Sequence, residues 1–177
     1  MPTIIRNRNI THDNWQWLER TSHGALPEIP PDGDIIVPLA LWQAQREDLS
    51  VHRGRVGVWL EPGEGPEAIA EDLERLPLVA VQFPKITDGR GYSTARLLRE
   101  RHGYRGELRA VGDIQRDQLL FLSRCGFDAF ALKDGRDAQA ALEAFADFSE
   151  AYQGAVDQPW PLFRRRAATA PNESQLS

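Results

Sequence analysis

From Asp34 onward the chain alternates five times between short apolar runs of strand length and longer segments of helix length. No other feature limits the fold as tightly. The runs are Asp34 to Leu39, Arg55 to Leu60, Leu78 to Phe83, Glu107 to Val111 and Asp128 to Leu132. Between them, Ile69, Ala70, Leu73 and Leu76 fall at i, i+1, i+4 and i+7. After the last run, Ala138, Ala141, Leu142, Phe145, Phe148 and Tyr152 trace a longer stripe at helical spacing. Nearly continuous apolar runs separated by helices are the mark of buried parallel strands joined by right-handed crossovers. The spacing therefore predicts an α/β fold of about five parallel strands alternating with helices, as an open doubly wound sheet or a partial, barrel-like (β/α) arc. A closed eight-unit barrel takes about 250 residues, and this chain has 177. Gly54, the Gly103-Tyr104-Arg105-Gly106 turn and Gly126 each precede a strand, where a helix C-cap calls for a left-handed residue.

Residues 1–33 read as an irregular segment packed on the core. Trp15-Gln16-Trp17-Leu18 suits an added edge strand or a helical turn, and Pro27, Pro30, Pro31 and Gly33 mark a linker. Residues 34–153 form the α/β domain, and 154–177 a docking or disordered tail. The lone cysteine, Cys125, rules out an intramolecular disulfide and cannot alone hold an iron–sulfur cluster. It sits at a predicted helix C-terminus, where the dipole disfavours a thiolate, so a buried, inert thiol is expected. The first twenty residues are polar, and no apolar run approaches the roughly 20 residues of a membrane span. These features lead us to expect a soluble cytoplasmic protein. A net charge of -5 argues against general nucleic-acid binding. His12, His23, His52 and His102 show no metal-ligand spacing and read as surface residues.

Parallel strands put their carboxyl ends on one edge, so the residues just past them become neighbours. They are Glu61, then Lys85 with the Asp88/Arg90 turn, then Asp113, then Lys133-Asp134. Only two of the 21 cations are lysines, and both follow strands. Such a set suits an anionic small molecule, held by Lys85, Arg90 and Lys133, with Asp113 or Glu61 moving protons and Asp88 a further candidate. The alternative is that these charges pair with one another and cap helices, Asp113 before Ile114 and Ser93 before Thr94. Gly89-Arg90-Gly91 can expose backbone N–H groups to an oxyanion, which makes Gly91 and Ser93 candidate ligand contacts. It matches neither the phosphate-loop nor the dinucleotide fingerprint, and flexible turn glycines are the plainer reading. Trp160, Leu162 and Phe163 beside Arg164, Arg165 and Arg166 have the character of a docking motif, or of a strap packed on its own domain.

Several blocks resemble a bacterial family of unknown function, numbered nine-three-four in the domain-of-unknown-function series. They are Phe83-Pro84-Lys85, Asp88 through Ser93, Ala95 through Arg99, Gly106 through Asp113, Asp117-Gln118 and Arg124 through Asp128. The resemblance implies a place in assimilatory sulfur metabolism, because such proteins are commonly encoded beside the haemoprotein subunit of sulfite reductase. Some carry the label of oxidoreductase in sulfite reduction. The chain carries no thiolate cluster, haem motif or nucleotide fingerprint, and no cofactor is evident. An auxiliary protein acting with the haemoprotein or its electron donor is therefore the leading expectation. A binder or enzyme for an anionic metabolite, and a flavin- or nicotinamide-dependent oxidoreductase, are the alternatives.

Overall fold

The computed structural model describes residues 3–21, 23–85, 87–132, 137–143, 145 and 156. All five expected strands are present: β4 (Ile35–Pro38), β5 (Val56–Leu60), β6 (Leu78–Phe83), β7 (Glu107–Gly112) and β8 (Ala129–Ala131). The N-terminal segment adds three more to the same sheet: β1 (Thr3–Arg6), β2 (Asn9–His12) and β3 (Gln16–Trp17). The spatial order is β2-β1-β8-β7-β6-β5-β4-β3, parallel from β3 to β8, with β1 antiparallel to both β8 and β2.

Strands β4 to β8 lie side by side in chain order, so right-handed crossovers put every connection on one face. This excludes the doubly wound alternative and leaves the barrel-like arc, a half-barrel with helices alternating along the chain. Packing agrees. Helix α1 (Leu39–Ala44), helix α2 (Arg46–Ser50), helix α3 (Arg90–Glu100), helix α4 (Leu119–Arg124) and helix α5 (Ala138–Glu143) all bury apolar residues in one large core. Leu41, Leu49, Leu98, Leu122 and Ala141 meet Ile35, Val58, Val81, Ala110 and Phe130 there. The stripe expected to form a helix around Ile69 is instead a 3-10 helix, Pro66–Asp72.

The opposite face has a second, smaller core of Trp15, Ile36, Trp59, Leu78, Ala80 and Val111, to which no described helix contributes. Curling of the sheet encloses it. Seven strand spacings laid flat would part β2 from β3 by about 34 Å, yet only three residues separate these strands. The four steps from His12 to Gln16 reach about 14 Å at most. The two edges must therefore approach, and Asp13-Asn14-Trp15 is the strap between them.

The strap carries a charge into the interior. Arg109 on β7 is 1% exposed, and its Nη1 lies 2.7 Å from Asp13 Oδ2. Its Nε donates to Glu107 Oε1 at 2.8 Å, while Nη2 sits 2.7 Å from the same oxygen without hydrogen-bond alignment. Arg6 of β1 closes the group at 2.8 Å from Glu107 Oε2. Two cations face two anions, the balance that burial of charge requires.

Candidate functional site

The carboxyl ends of the parallel strands form a rim, and the connections leaving them bring the expected charges there in two groups. The loop after β5 and the turn after β6 form the first. Glu61 lies 3.5 Å from Arg20 Nε, and its N–H donates to Glu64 Oε2 at 2.7 Å. Burial, opposed by that hydrogen bond, raises the Glu64 pKa above the usual value. Arg90 donates to Asp88 through Nε at 2.9 Å and Nη2 at 2.6 Å. Those bonds hold Asp88 down at about 2. Arg90 Nη1 also lies beside Gly63, which joins the two connections.

The second group surrounds a cavity of about 450 Å³ at the ends of β6, β7 and β8, lined by Gln82, Phe83, Pro84, Gly112, Asp113 and Leu132, among others. The Asp113 N–H donates to Phe83 O at 2.7 Å, which ties β7's exit to β6's. The helix after Asp113 does not begin at Ile114; its N-cap position is Gln115. That turn is a 3-10 helix, Arg116–Gln118, closed by reciprocal bonds between Gln115 and Gln118. Ser93 is likewise no cap: α3 starts at Arg90, because the Asp88 side chain accepts the Arg90 N–H at 3.2 Å. Ser93 is exposed in the first turns of that helix.

Gly91 has a packing role. The Phe83 ring presses against its α-carbon so closely that a built Cβ would stand 2.5 Å from the ring. Lys85 is exposed and makes no ion pair among the described residues. Lys133 and Asp134 lie outside the described residues, as do Trp160, Leu162, Phe163, Arg164 and Arg165. Cys125 is the C-cap of α4, as its position predicts, but half-buried rather than buried.

Sequence reasoning missed Gln82, Arg20 and Glu64. Gln82 stood inside an apolar run as its lone polar residue, a signal of a position on the sheet's other face, at the rim. Arg99 has a structural role that its block concealed. It donates to Tyr104 O at 2.7 Å and to the carbonyls of Gly106 and Gly126 at 2.9 Å. A fourth bond, 2.7 Å long, reaches Asp128. One guanidinium thus pins α3 to the entrances of β7 and β8. Burial raises the Asp128 pKa despite this partner.

Among the described residues no group of three or more His, Cys, Asp or Glu is placed to hold a metal ion. No described helix is long and apolar enough to cross a membrane.

Fold and rim define an α/β half-barrel with a charged carboxyl-end face. The model of a bacterial protein family of unknown function, DUF934, matches residues 57–163, from β5 onward, and the chain belongs to that family. No curated protein matches the chain.

Proposed function

We propose that the protein is an auxiliary protein of assimilatory sulfite reduction, working through its carboxyl-end rim on the sulfite-reducing haemoprotein or that protein's electron donor. The sulfur assignment rests on what the resemblance of its blocks implies, a place beside the sulfite-reducing haemoprotein. One geometric observation favours the rim as the working surface: within the Phe83 to Ser93 block, Pro84, Lys85, Gly89, Arg90 and Ser93 are exposed there, next to the β6–β8 cavity. The Arg99, Gly106 and Asp128 blocks are accounted for by an internal staple. The rim's arginines are already matched by carboxylates, Arg90 by Asp88 and Arg20 by Glu61. Such a mixed-sign surface suits docking and register on a protein partner better than capture of a free anion.

The test is co-purification of the full chain with the haemoprotein from cell extract, using wild type and a Lys85→Glu/Arg90→Glu variant. Recovery with the wild type and loss with the variant is the expected result. Absence of the haemoprotein from the wild-type eluate would overturn the partner assignment, and equal recovery by the variant would remove the rim from it.

A second reading rests on the cavity itself, whose size fits a small molecule. In that reading Asp113 and Gln82 orient a small ligand and Lys85 supplies charge. Thermal shift with sulfite, sulfate and phosphorylated metabolites tests it, since a ligand held by the folded state raises the melting temperature. No shift with any of them would count against it.

A further inference from the structure

The opposite end of the half-barrel carries a second cavity, of about 430 Å³, at the amino ends of β5 and β6. Its lining includes Arg46, Arg55, Arg75 and His52, and no carboxylate side chain among the described residues. We propose that this cavity binds the tetrahedral oxyanion group, phosphate or sulfate, of a small organic ester.

Arg46 is set from behind. Asp72, 3% exposed, accepts from Trp42 Nε1 at 2.9 Å and from Arg46 Nη2 through the same oxygen. The Arg46 guanidinium is thereby oriented before any ligand arrives, which lowers the ordering cost of binding. Arg55 is held by Asp34, at 3.0 Å from Nε, and stacks over the Trp15 ring at 4.8 Å, so its charge lies on the side of the second core, away from the cavity.

Arg75 differs from the other two. It is exposed and lines the cavity; its backbone N–H donates to Asp72 O at 2.8 Å, while its side chain makes no ion pair or hydrogen bond with any described residue. Arg46 and Arg75 against Asp72 leave one positive charge without a match at the cavity, whose lining also includes His52, with its Nε2 2.7 Å from Gly33 O. A planar, multiply donating guanidinium is the group that recognises tetrahedral oxyanions best. The remaining wall includes the buried, apolar Trp42, Leu49 and Val56, together with Ser50 and Pro77. The volume exceeds what an inorganic ion fills, so the organic part of the ester has a surface to pack on.

Calorimetric titration of the full chain with phenyl phosphate, phenyl sulfate and inorganic phosphate tests this. Both esters should bind, and more tightly than inorganic phosphate. Arg75→Gln should weaken both by about ten-fold or more, the loss of one charge-assisted contact. Arg96→Gln, which removes an exposed α3 cation paired with Glu100, should leave binding unchanged. Should Arg75→Gln fold poorly, the wild-type Trp42 indole N–H resonance serves instead, and it should shift on adding phenyl phosphate. Absence of binding by the wild type, or unchanged affinity in Arg75→Gln, would overturn the proposal. So would a loss in Arg90→Gln in place of Arg75→Gln, since that would put the anion at the rim.

Discussion

Replacing Asp13 with alanine removes the strap's one charged contact with the barrel interior, and the structure sets the size of the effect. Asp13 is 9% exposed and stands 2.7 Å from Arg109, which is 1% exposed. Removing one member of a buried pair typically costs about 3–5 kcal/mol, because the other charge stays buried without compensation. Arg109 keeps Glu107, but Glu107 must also serve Arg6. The low end of that range, about 3 kcal/mol, is therefore expected. In a domain of this size each kcal/mol moves the melting temperature by roughly 2–4 °C, so a drop of about 6–12 °C should follow.

Urea unfolding followed by tryptophan fluorescence reads the change as a lowered midpoint at constant slope. A companion variant, Asp13→Ala/Arg109→Met, restores the charge balance by leaving Arg6 with Glu107. It should lose less than the sum of the two single changes, with a coupling of about 1–3 kcal/mol. If Asp13→Ala costs less than about 1 kcal/mol and the pair is additive, the strap does not close the barrel as described.

Gly91→Ala should destabilise by about 1–3 kcal/mol in the same assay, because the added methyl meets the Phe83 ring and overpacks the core. A neutral or stabilising change, from helix propensity alone, would mean that the ring moves aside freely. Asp88 should titrate near pH 2 rather than at the ordinary 3.8 when its carboxyl carbon is followed by NMR. A lowered folded pKa means that the Arg90 contact favours the fold above pH 3.8 and is lost as the pH falls through about 2. Arg90→Gln should return the midpoint toward 3.8.

The strands expected in sequence were legible because each is a nearly continuous apolar run, and all five are present. β1 and β2 were not. They are four residues each, β2 is largely exposed, and their hairpin turns through Asn7 and Arg8, both at positive φ. The primed turn usually signals itself with glycine, and here an arginine takes the second left-handed position. Strand order was equally hidden, since one chain's alternation fits both a doubly wound sheet and an arc. The tryptophans Trp15 and Trp17 hinted at an edge element, but not that it would roof a second core. Glu107 and Arg109 alternate with apolar residues as an exposed strand face would, and only the remote Asp13 reveals why that face is buried. At the rim, the neighbourhood of Glu61, Asp88 and Arg90 followed directly from parallel strands. The helix start at Arg90 did not, because the Asp88 side chain can cap two residues on, and Ser93 offered a rival signal. The amino-end arginines carry no such signal, since nothing in the strand pattern marks the amino ends as a site.

Growth of a strain lacking this gene, with sulfate or cysteine as sole sulfur source, tests the proposed role most directly. An auxiliary role in sulfite reduction predicts slow or absent growth on sulfate, normal growth on cysteine, and recovery on sulfate when the intact gene is returned. Equal growth of the deletion strain and its parent on both sources would contradict it.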